Sequence, residues 1–168
     1  MIVDALILAG GRSSRLGGTA KSQLAINGIT LLDRTIQAAV AAGVRHTVII
    51  GDEVRDGVVT LREEPQFSGP VASIAAGLRA LPGDTEAVLV LACDMPMIEQ
   101  ALPALFFGFS GDGVIAVDGG RVQPLVILAS TFALNAAVDA LPTVVDASMR
   151  ALLASLELTE IAVPEGST

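Results

Sequence analysis

The stretch that decides the fold is LILAGGRSSRLGGTAK, at residues 6–21. It starts within an apolar run, residues 2–8, that ends abruptly in Gly10-Gly11. A buried strand that opens into a glycine-rich loop is how an α/β protein presents backbone N–H groups to a phosphate. The spacing fits neither G-x-x-x-x-G-K-[ST] nor G-x-G-x-x-G, so the loop is neither of the two commonest phosphate-binding loops.

The same loop is basic although the chain is acidic. Arg12, Arg15 and Lys21 lie within ten residues, whereas the whole chain has a net charge of −8. Each guanidinium can offer a planar fork to phosphate oxygens, and a lysine suits charge that builds up during phosphoryl or nucleotidyl transfer. Gly10 and Gly11 let the backbone approach a ligand without a Cβ in the way. The alternative is a solvated loop whose glycines serve only tight turns.

Composition limits the other classes of function. The 168 residues are 52% apolar and 3% aromatic, which predicts one domain with a core of Ala, Val, Leu and Ile. The negative charge argues against general binding of nucleic acid or anionic membranes. The longest apolar runs, about eight residues, are too short to span a bilayer. Cys93 is the only cysteine, and no signal peptide is expected, so we predict a cytoplasmic protein.

Apolar runs alternate with helical spacings along the chain, which predicts right-handed βαβ units and a mostly parallel sheet. The expected strands are 2–8, 44–50, 58–61, 87–92, 113–117, 122–128 and 160–163. The expected helices are 31–42, 71–81, 99–107, 131–140 and 148–156. Asp118-Gly119-Gly120 indicates a hairpin, which adds an antiparallel element. We predict a single α/β domain over residues 1–168, with a frayed tail at 162–168.

Three loops that follow strands carry chemistry: 9–21, 63–70 and 93–96. In open α/β sheets, ligands bind at the edge where the parallel strands end. Asp94 follows the most apolar strand, and a carboxylate there suits Mg²⁺, which takes one or two protein carboxylates together with substrate phosphates and water. The alternative for Asp94 is a cap of the next helix.

The loop at 63–70, EEPQFSGP, leads into a helix that begins at Gly69-Pro70. Ser68 and the N–H groups of this helix start could contact a base or a ribose, and the alternative is an ordinary loop with an N-cap. Three other sites are expected to have no chemical role: His46 as a surface residue, Cys93 as a small buried hydrophobe, and Asp33-Arg34 as a solvated pair. The chain has no Cys/His cluster for zinc and no Ser/His/Asp set for acyl transfer.

The order of these motifs resembles the MobA-like nucleotidyltransferases. The likeness rests on LAGG-RSS-R-LGG-x-x-K, on SGP at the start of a helix and on a strand that ends in CDMP. It implies a three-layer Rossmann-like sandwich, as in nucleotide-diphospho-sugar transferases. It also implies Mg²⁺-dependent transfer of GMP from GTP to molybdopterin cofactor, with release of pyrophosphate. Molybdoenzymes or other cofactor-maturation proteins are then further possible partners.

The resemblance assigns roles to particular residues. Arg15 would hold phosphates, Lys21 would contact the nucleotide and stabilise charge on the transferred group, and Asp94 would be the metal ligand. Glu64 matches, loosely, an acidic residue near the guanine or ribose. With the residues chosen above for their chemistry, the candidate nucleotide-binding set is Leu8, Ala9, Gly10, Gly11, Arg12, Lys21, Glu64, Ser68, Gly69 and Asp94.

Three departures from the family pattern leave alternatives open. Ala20 stands where members usually have Asp before the lysine, and Gln123 replaces the usual His before Pro124-Leu125 on the acceptor side. The Asn/Asp-x-[Asn/Asp]-Thr-Pro segment of family members is not found in the sequence. The alternatives are a cytidylyltransferase or other NTP transferase acting on molybdopterin or a sugar or alcohol phosphate, and a non-catalytic nucleotide-binding partner of molybdoenzymes.

Overall fold

The computed structural model describes residues 1–10, 15–16 and 19–168, and for residues 15, 16 and 19–21 it describes the backbone alone. In chain order, its strands are β1 (Val3–Leu8), β2 (Arg15–Leu16), β3 (Thr19–Ala20), β4 (Ala25–Ile26), β5 (Ile29–Thr30), β6 (Thr47–Ile50), β7 (Val59–Leu61), β8 (Ala87–Ala92), β9 (Gly113–Asp118), β10 (Arg121–Ser130) and β11 (Leu158–Ala162). Its helices are α1 (Leu31–Ala41), α2 (Gly69–Ala80), α3 (Leu102–Gly108), α4 (Thr131–Asp139) and α5 (Met149–Leu153), with 3₁₀ turns η1 (Lys21–Gln23) and η2 (Ile98–Gln100).

Seven strands form one sheet in the order β11-β9-β10-β8-β1-β6-β7. Strand β1 lies parallel to both β6 and β8, and β6 lies parallel to β7. Only β10 runs antiparallel to its two neighbours in this sheet, β8 and β9. The predicted fold class, a mostly parallel sheet with one antiparallel element, is therefore confirmed.

Helices cover both faces of the sheet. Along β1, Val3 and Ala5 pack with residues of α1 and α3, whereas Leu6 and Leu8 pack with residues of α2, α4 and α5. Both faces of a parallel sheet must be covered, which is why the central strands read as continuous runs of Val, Leu, Ile and Ala. No helix within the described residues is long and apolar enough to cross a membrane.

Several boundaries differ from the sequence-based expectation. The helix expected over 99–107 is divided into η2 and α3, and the one expected over 148–156 ends at Leu153. The short hairpin of β4 and β5 was not predicted, although its turn has a strong signal: Asn27 and Gly28 both have positive φ, as a two-residue hairpin turn requires.

The last residues of the sequence are packed against the sheet, unlike the frayed tail that the sequence predicts. The carboxylate of Asp118 accepts hydrogen bonds from the backbone N–H groups of Gly166 (2.9 Å) and Thr168 (3.0 Å) and from the Thr168 hydroxyl (2.8 Å). Ser167 is buried. The reason is a contact between residues about fifty positions apart, which local composition does not reveal.

A cluster of hydrogen-bonded charged residues lies at the edge where the parallel strands begin, hereafter the amino edge. Asp4 is fully buried in β1, and its carboxylate accepts two hydrogen bonds from Arg45 (3.1 and 2.7 Å), one from the Thr85 hydroxyl and one from the backbone N–H of His46 (3.0 Å). His46 is exposed, as predicted, but its Nδ1 lies 3.3 Å from Asp4. The cluster therefore joins β1 to the turns before β6 and β8.

Asp33 and Arg34, expected to be a solvated pair, are both half-buried. Asp33 accepts a hydrogen bond from Arg55 Nε at 2.6 Å. Neighbouring positions on a helix point in different directions, so adjacent charges do not face each other.

Candidate functional site

The strands that precede the loops singled out by the sequence all end at one edge of the sheet, hereafter the carboxyl edge. Hydrogen bonds join neighbouring strand ends there: Cys93 N–H to the Leu8 carbonyl (3.2 Å), Ala9 N–H to Ile50 (2.8 Å) and Gly51 N–H to Leu61 (2.9 Å). The chain leaves β1 for β6 on one side and later returns to β8 on the other. This is a topological switch point, the place where open α/β sheets bind ligands.

The first residues of the glycine loop lie at the centre of that edge. Leu8 and Ala9 are buried and Gly10 is exposed. Gly51 packs against Ala9 so closely that a Cβ at Gly51 would lie 3.0 Å from the Ala9 carbonyl carbon. The two backbones therefore lie too close together for a side chain at Gly51 unless one of them shifts.

The remaining candidates of this loop are only partly within the described residues. Gly11 and Arg12 lie outside them, as do the side chains of Arg15 and Lys21. The backbone of Lys21 begins η1. Among the ten Lys and Arg residues of the sequence, Lys21 is the only lysine.

Asp94 lies beside this loop because β1 and β8 end level with each other. Leu8 pairs with Ala92, and Asp94 follows two residues later, exposed between the buried Cys93 and Met95. Cys93 packs with Ile7 and Ala9, so its predicted role as a small buried hydrophobe is confirmed.

The donor chemistry at Asp94 fits Mg²⁺. Across the described part of the chain, no group of three His, Cys, Asp or Glu side chains could hold a metal ion by itself. Mg²⁺ does not need such a group, since one or two carboxylates suffice when substrate phosphates and water complete the shell. An exposed carboxylate beside a glycine-rich loop matches that mode of binding.

The two glutamates of the loop at 63–70 differ in their surroundings. Glu63 is buried, and its carboxylate accepts hydrogen bonds from the Phe67 N–H (2.8 Å) and the Ser73 hydroxyl (3.3 Å), which hold the loop against the second turn of α2. Glu64, the candidate that the resemblance suggested, is exposed. The sequence alone did not distinguish them.

Ser68 and Gly69 lie at the start of α2, as predicted. Ser68 is buried, its hydroxyl donates to the Pro65 carbonyl, and it makes no side-chain cap of the helix. Gly69 and Pro70 form the first turn of α2. The ordinary N-cap that was the alternative reading is therefore not formed by the Ser68 side chain.

A charged pair links the strand ends next to this loop. Arg62 donates hydrogen bonds to both carboxylate oxygens of Asp52, and its guanidinium lies 5.2 Å from the centre of the Phe67 ring. The hydrogen bond with Asp52 raises the pKa of Arg62, so this side chain stays cationic. Sequence reasoning missed this pair because its members follow different strands.

An open cavity of about 540 Å³ lies between the start of β10 and α5. It is lined by Val122, Pro124, Met149, Arg150, Leu153 and Ala154. The backbone N–H of Asp146, just before α5, donates to the Ser68 carbonyl at 2.8 Å. The residues around Gln123 therefore lie on the same side of the sheet as the start of α2.

Comparisons with known proteins agree with this geometry. The family model that describes the MobA-like NTP transferase domain matches residues 5–161 of this chain. A molybdenum cofactor guanylyltransferase of Shewanella sp. is 32% identical over 138 residues, which are 75% of this chain and 68% of the relative. One of Cereibacter sphaeroides is 36% identical over 127 residues, 71% of this chain and 64% of the relative. The solved structure of a nucleotidyl transferase of Methanothermobacter thermautotrophicus matches with a TM-score of 0.74 at 20% identity. The match covers 98% of this chain and 87% of that structure's chain.

Proposed function

The chain belongs to the MobA-like NTP transferase family, and on this premise we propose that it transfers GMP from GTP to the phosphate of a molybdopterin-type acceptor and releases pyrophosphate. The observation that carries the proposal is the position of Asp94, exposed beside the first residues of the glycine loop at the switch point of the sheet. The names of the relatives supply the nucleotide and the acceptor.

The reaction brings anions together, because an acceptor phosphate attacks the α-phosphorus of the triphosphate. In the proposal, residues 8–11 line the nucleotide while Arg12, Arg15 and Lys21 offset the repulsion and stabilise the leaving pyrophosphate. Asp94 would hold Mg²⁺, which would supply Lewis-acid stabilisation of the phosphate charge. The displacement is direct, so no side chain has to act as a nucleophile.

The remaining candidates are assigned by exposure. The carboxylate of Glu64 is accessible from solvent, so we keep it as the contact for the base or ribose. The Ser68 hydroxyl is used inside its own loop, so Ser68 and Gly69 would contact the nucleotide through their backbone. The cavity beside Pro124 and Arg150 is apolar with one cation, which suits a flat acceptor that carries a phosphate.

A cytoplasmic location and delivery of the product to molybdoenzymes belong to the same proposal. The support for the location is the single, buried Cys93, which suits a reducing compartment.

The test is a pyrophosphate-release assay with GTP, Mg²⁺ and molybdopterin-loaded acceptor, run beside CTP, ATP and UTP. We expect release with GTP above the other nucleotides. Preference for CTP would make the chain a cytidylyltransferase. Nucleotide binding without release, with any acceptor, would overturn the proposal in favour of a non-catalytic partner.

A further inference from the structure

The segment at residues 51–53 touches the chain on both sides of the glycine loop. On the entry side, Gly51 packs against the backbone of Ala9, as described above. On the exit side, the Glu53 carboxylate reaches η1, the turn that begins with Lys21. The short connection after β6 therefore contacts the chain both where it enters the glycine loop and where it leaves it.

The contact with η1 is made through the two residues that follow Lys21. Glu53 Oε1 accepts hydrogen bonds from the Ser22 hydroxyl (3.3 Å) and from Gln23 Nε2 (2.9 Å). Ser22 is 1% exposed, and the Glu53 side chain is 14% exposed. The hydrogen bond from Ser22 is partly buried and the one from Gln23 is exposed, and both go to a charged acceptor, which makes them stronger than hydrogen bonds between neutral groups.

Glu53 is itself held in place from the other side. Its Oε2 lies 3.5 Å from Arg55 Nη1, and its carbonyl accepts a hydrogen bond from the Thr60 hydroxyl (3.0 Å). Arg55 also donates to Asp33 in the first turn of α1, and the Thr30 hydroxyl donates to the same carboxylate at 2.6 Å. The network therefore connects η1 with the hydrogen-bonded start of α1.

The charges of Asp33 and Arg55 persist at neutral pH. Burial raises the pKa of Asp33, but hydrogen bonds from Arg55 and Thr30 outweigh it and the pKa is lowered overall. The hydrogen bond with Asp33 raises the pKa of Arg55.

We propose that Glu53 is a positioning residue for Lys21: through Ser22 and Gln23 it fixes the backbone of the turn from which this lysine extends. The inference rests on the proposed function, in which Lys21 stabilises the transferred phosphoryl group. A charge can do this only when it is placed in advance, and a displacement of about 1 Å can cost roughly a hundredfold in rate. Glu53 contacts neither substrate nor metal in this role.

The first experiment compares Glu53→Ala with Glu160→Ala, which removes an exposed carboxylate from β11, a strand at the far side of the sheet. We expect Glu53→Ala to lower kcat by about ten- to a hundredfold, the range seen when supporting partners of a site are removed, with a smaller change in the KM for GTP. Glu160→Ala should match the unmodified protein. A kcat of Glu53→Ala equal to that of the control overturns the inference.

Two milder variants separate positioning from folding. Glu53→Gln keeps an oxygen that can accept from Ser22 and Gln23, so it should restore most of the kcat. Gln23→Ala removes one hydrogen bond from an exposed side chain and should lower kcat by roughly threefold to tenfold. If Glu53→Ala does not fold, a Gln23→Ala variant with unchanged kcat overturns the inference in its place.

A double variant tests whether Glu53 acts through Lys21. In a Lys21→Ala background, Glu53→Ala should lower kcat by less than about twofold, because the group that it positions is already absent. A full additional loss would mean that Glu53 supports the fold in general, and would overturn the inference.

A further experiment measures the lysine side chain directly and does not depend on catalytic turnover. Because Lys21 is the only lysine, protein labelled with ¹³Cε-lysine gives a single lysine signal in an NMR spectrum. We expect GTP with Mg²⁺ to shift this signal in the unmodified protein and in Glu160→Ala, but to shift it much less in Glu53→Ala. No shift in the unmodified protein contradicts the proposed function itself, whereas equal shifts in all three contradict only the role of Glu53.

Discussion

The two edges of the central sheet both carry carboxylates near strand ends, but one is buried and the other is exposed. At the amino edge, Asp4 is fully buried and bonded to Arg45, Thr85 and the backbone of His46. At the carboxyl edge, Asp94 is exposed next to the glycine loop. A carboxylate enclosed by donors of its own protein stabilises the fold, whereas one that faces solvent at a switch point can bind a ligand.

The carboxylate of Asp4 is held in its ionised form. Burial raises the pKa of Asp4, but the hydrogen bonds from Arg45, Thr85 and His46 outweigh it, so its pKa is lowered overall. Asp4 therefore stays ionised in the folded protein, and its charge is matched within the amino edge. The comparison predicts that substitutions at one edge change catalysis and those at the other change stability.

The largest effect is expected from Asp94→Ala at the carboxyl edge. It removes the carboxylate assigned to Mg²⁺, so turnover should fall by about a thousandfold or more. This loss is larger than the loss of turnover expected when a single hydrogen-bond donor is removed. Pyrophosphate release at saturating Mg²⁺ measures this, with the exposed Glu99→Ala on η2 as control. Retention of more than a tenth of the activity would contradict the assignment.

Lys21→Ala should have the next largest effect. Removing one preorganised charge that acts on the transferred group costs roughly a hundred- to a thousandfold in turnover. Single-turnover kinetics with GTP would measure the chemical step directly. Little change would mean that Lys21 is not in the site, and the carboxyl edge would lose its main cation.

Asp4→Asn tests the amino edge and should leave turnover unchanged. Loss of the buried charge opposite Arg45 is expected to lower the free energy of unfolding by about 2–4 kcal/mol, measured by urea denaturation at pH 7. The folded pKa of Asp4 lies below the ordinary value, so its contribution is full above about pH 4 and is lost as pH falls through the lowered pKa. Asp84→Asn, which removes an exposed partner of Arg45, should have a much smaller effect.

Asp118→Asn sharpens the comparison, because Asp118 lies at the carboxyl edge and yet is enclosed. Its pKa is lowered by hydrogen bonds from the Gly166 N–H and from Thr168, so its hold on residues 166–168 persists at neutral pH and weakens only as pH falls through that lowered value. We expect amide exchange of Gly166 and Thr168 to rise by roughly tenfold in the variant, with turnover within about twofold. A large loss of turnover would assign Asp118 to the site.

The parts of the site that the sequence predicted are those whose signal lies within a few neighbouring residues. The apolar runs before Gly10 and before Asp94 each indicate a buried strand and the place where it ends, and the parallel arrangement then brings both ends to one edge. The start of α2 at Gly69-Pro70 was readable for the same reason.

The parts that the sequence did not predict are contacts between distant positions. Ser22 and Glu53 are 31 positions apart, and Arg45 and Asp4 are 41 positions apart. No periodicity or turn chemistry links such residues, because their contact depends on which strands become neighbours. The choice between Glu63 and Glu64 is of the same kind, since adjacent residues on a loop differ only in the direction that packing gives them.

By itself, the sequence determined the α/β class, the glycine-rich and basic loop, and the carboxylate at the end of the most apolar strand. It could do so because short-range sequence patterns indicate both the backbone preference of a segment and its burial. Only the tertiary structure decided which charges are enclosed and which face the crevice, and which residue supports the turn at Lys21. Those outcomes depend on the register and order of seven strands, which bring residues from separate segments within hydrogen-bond distance.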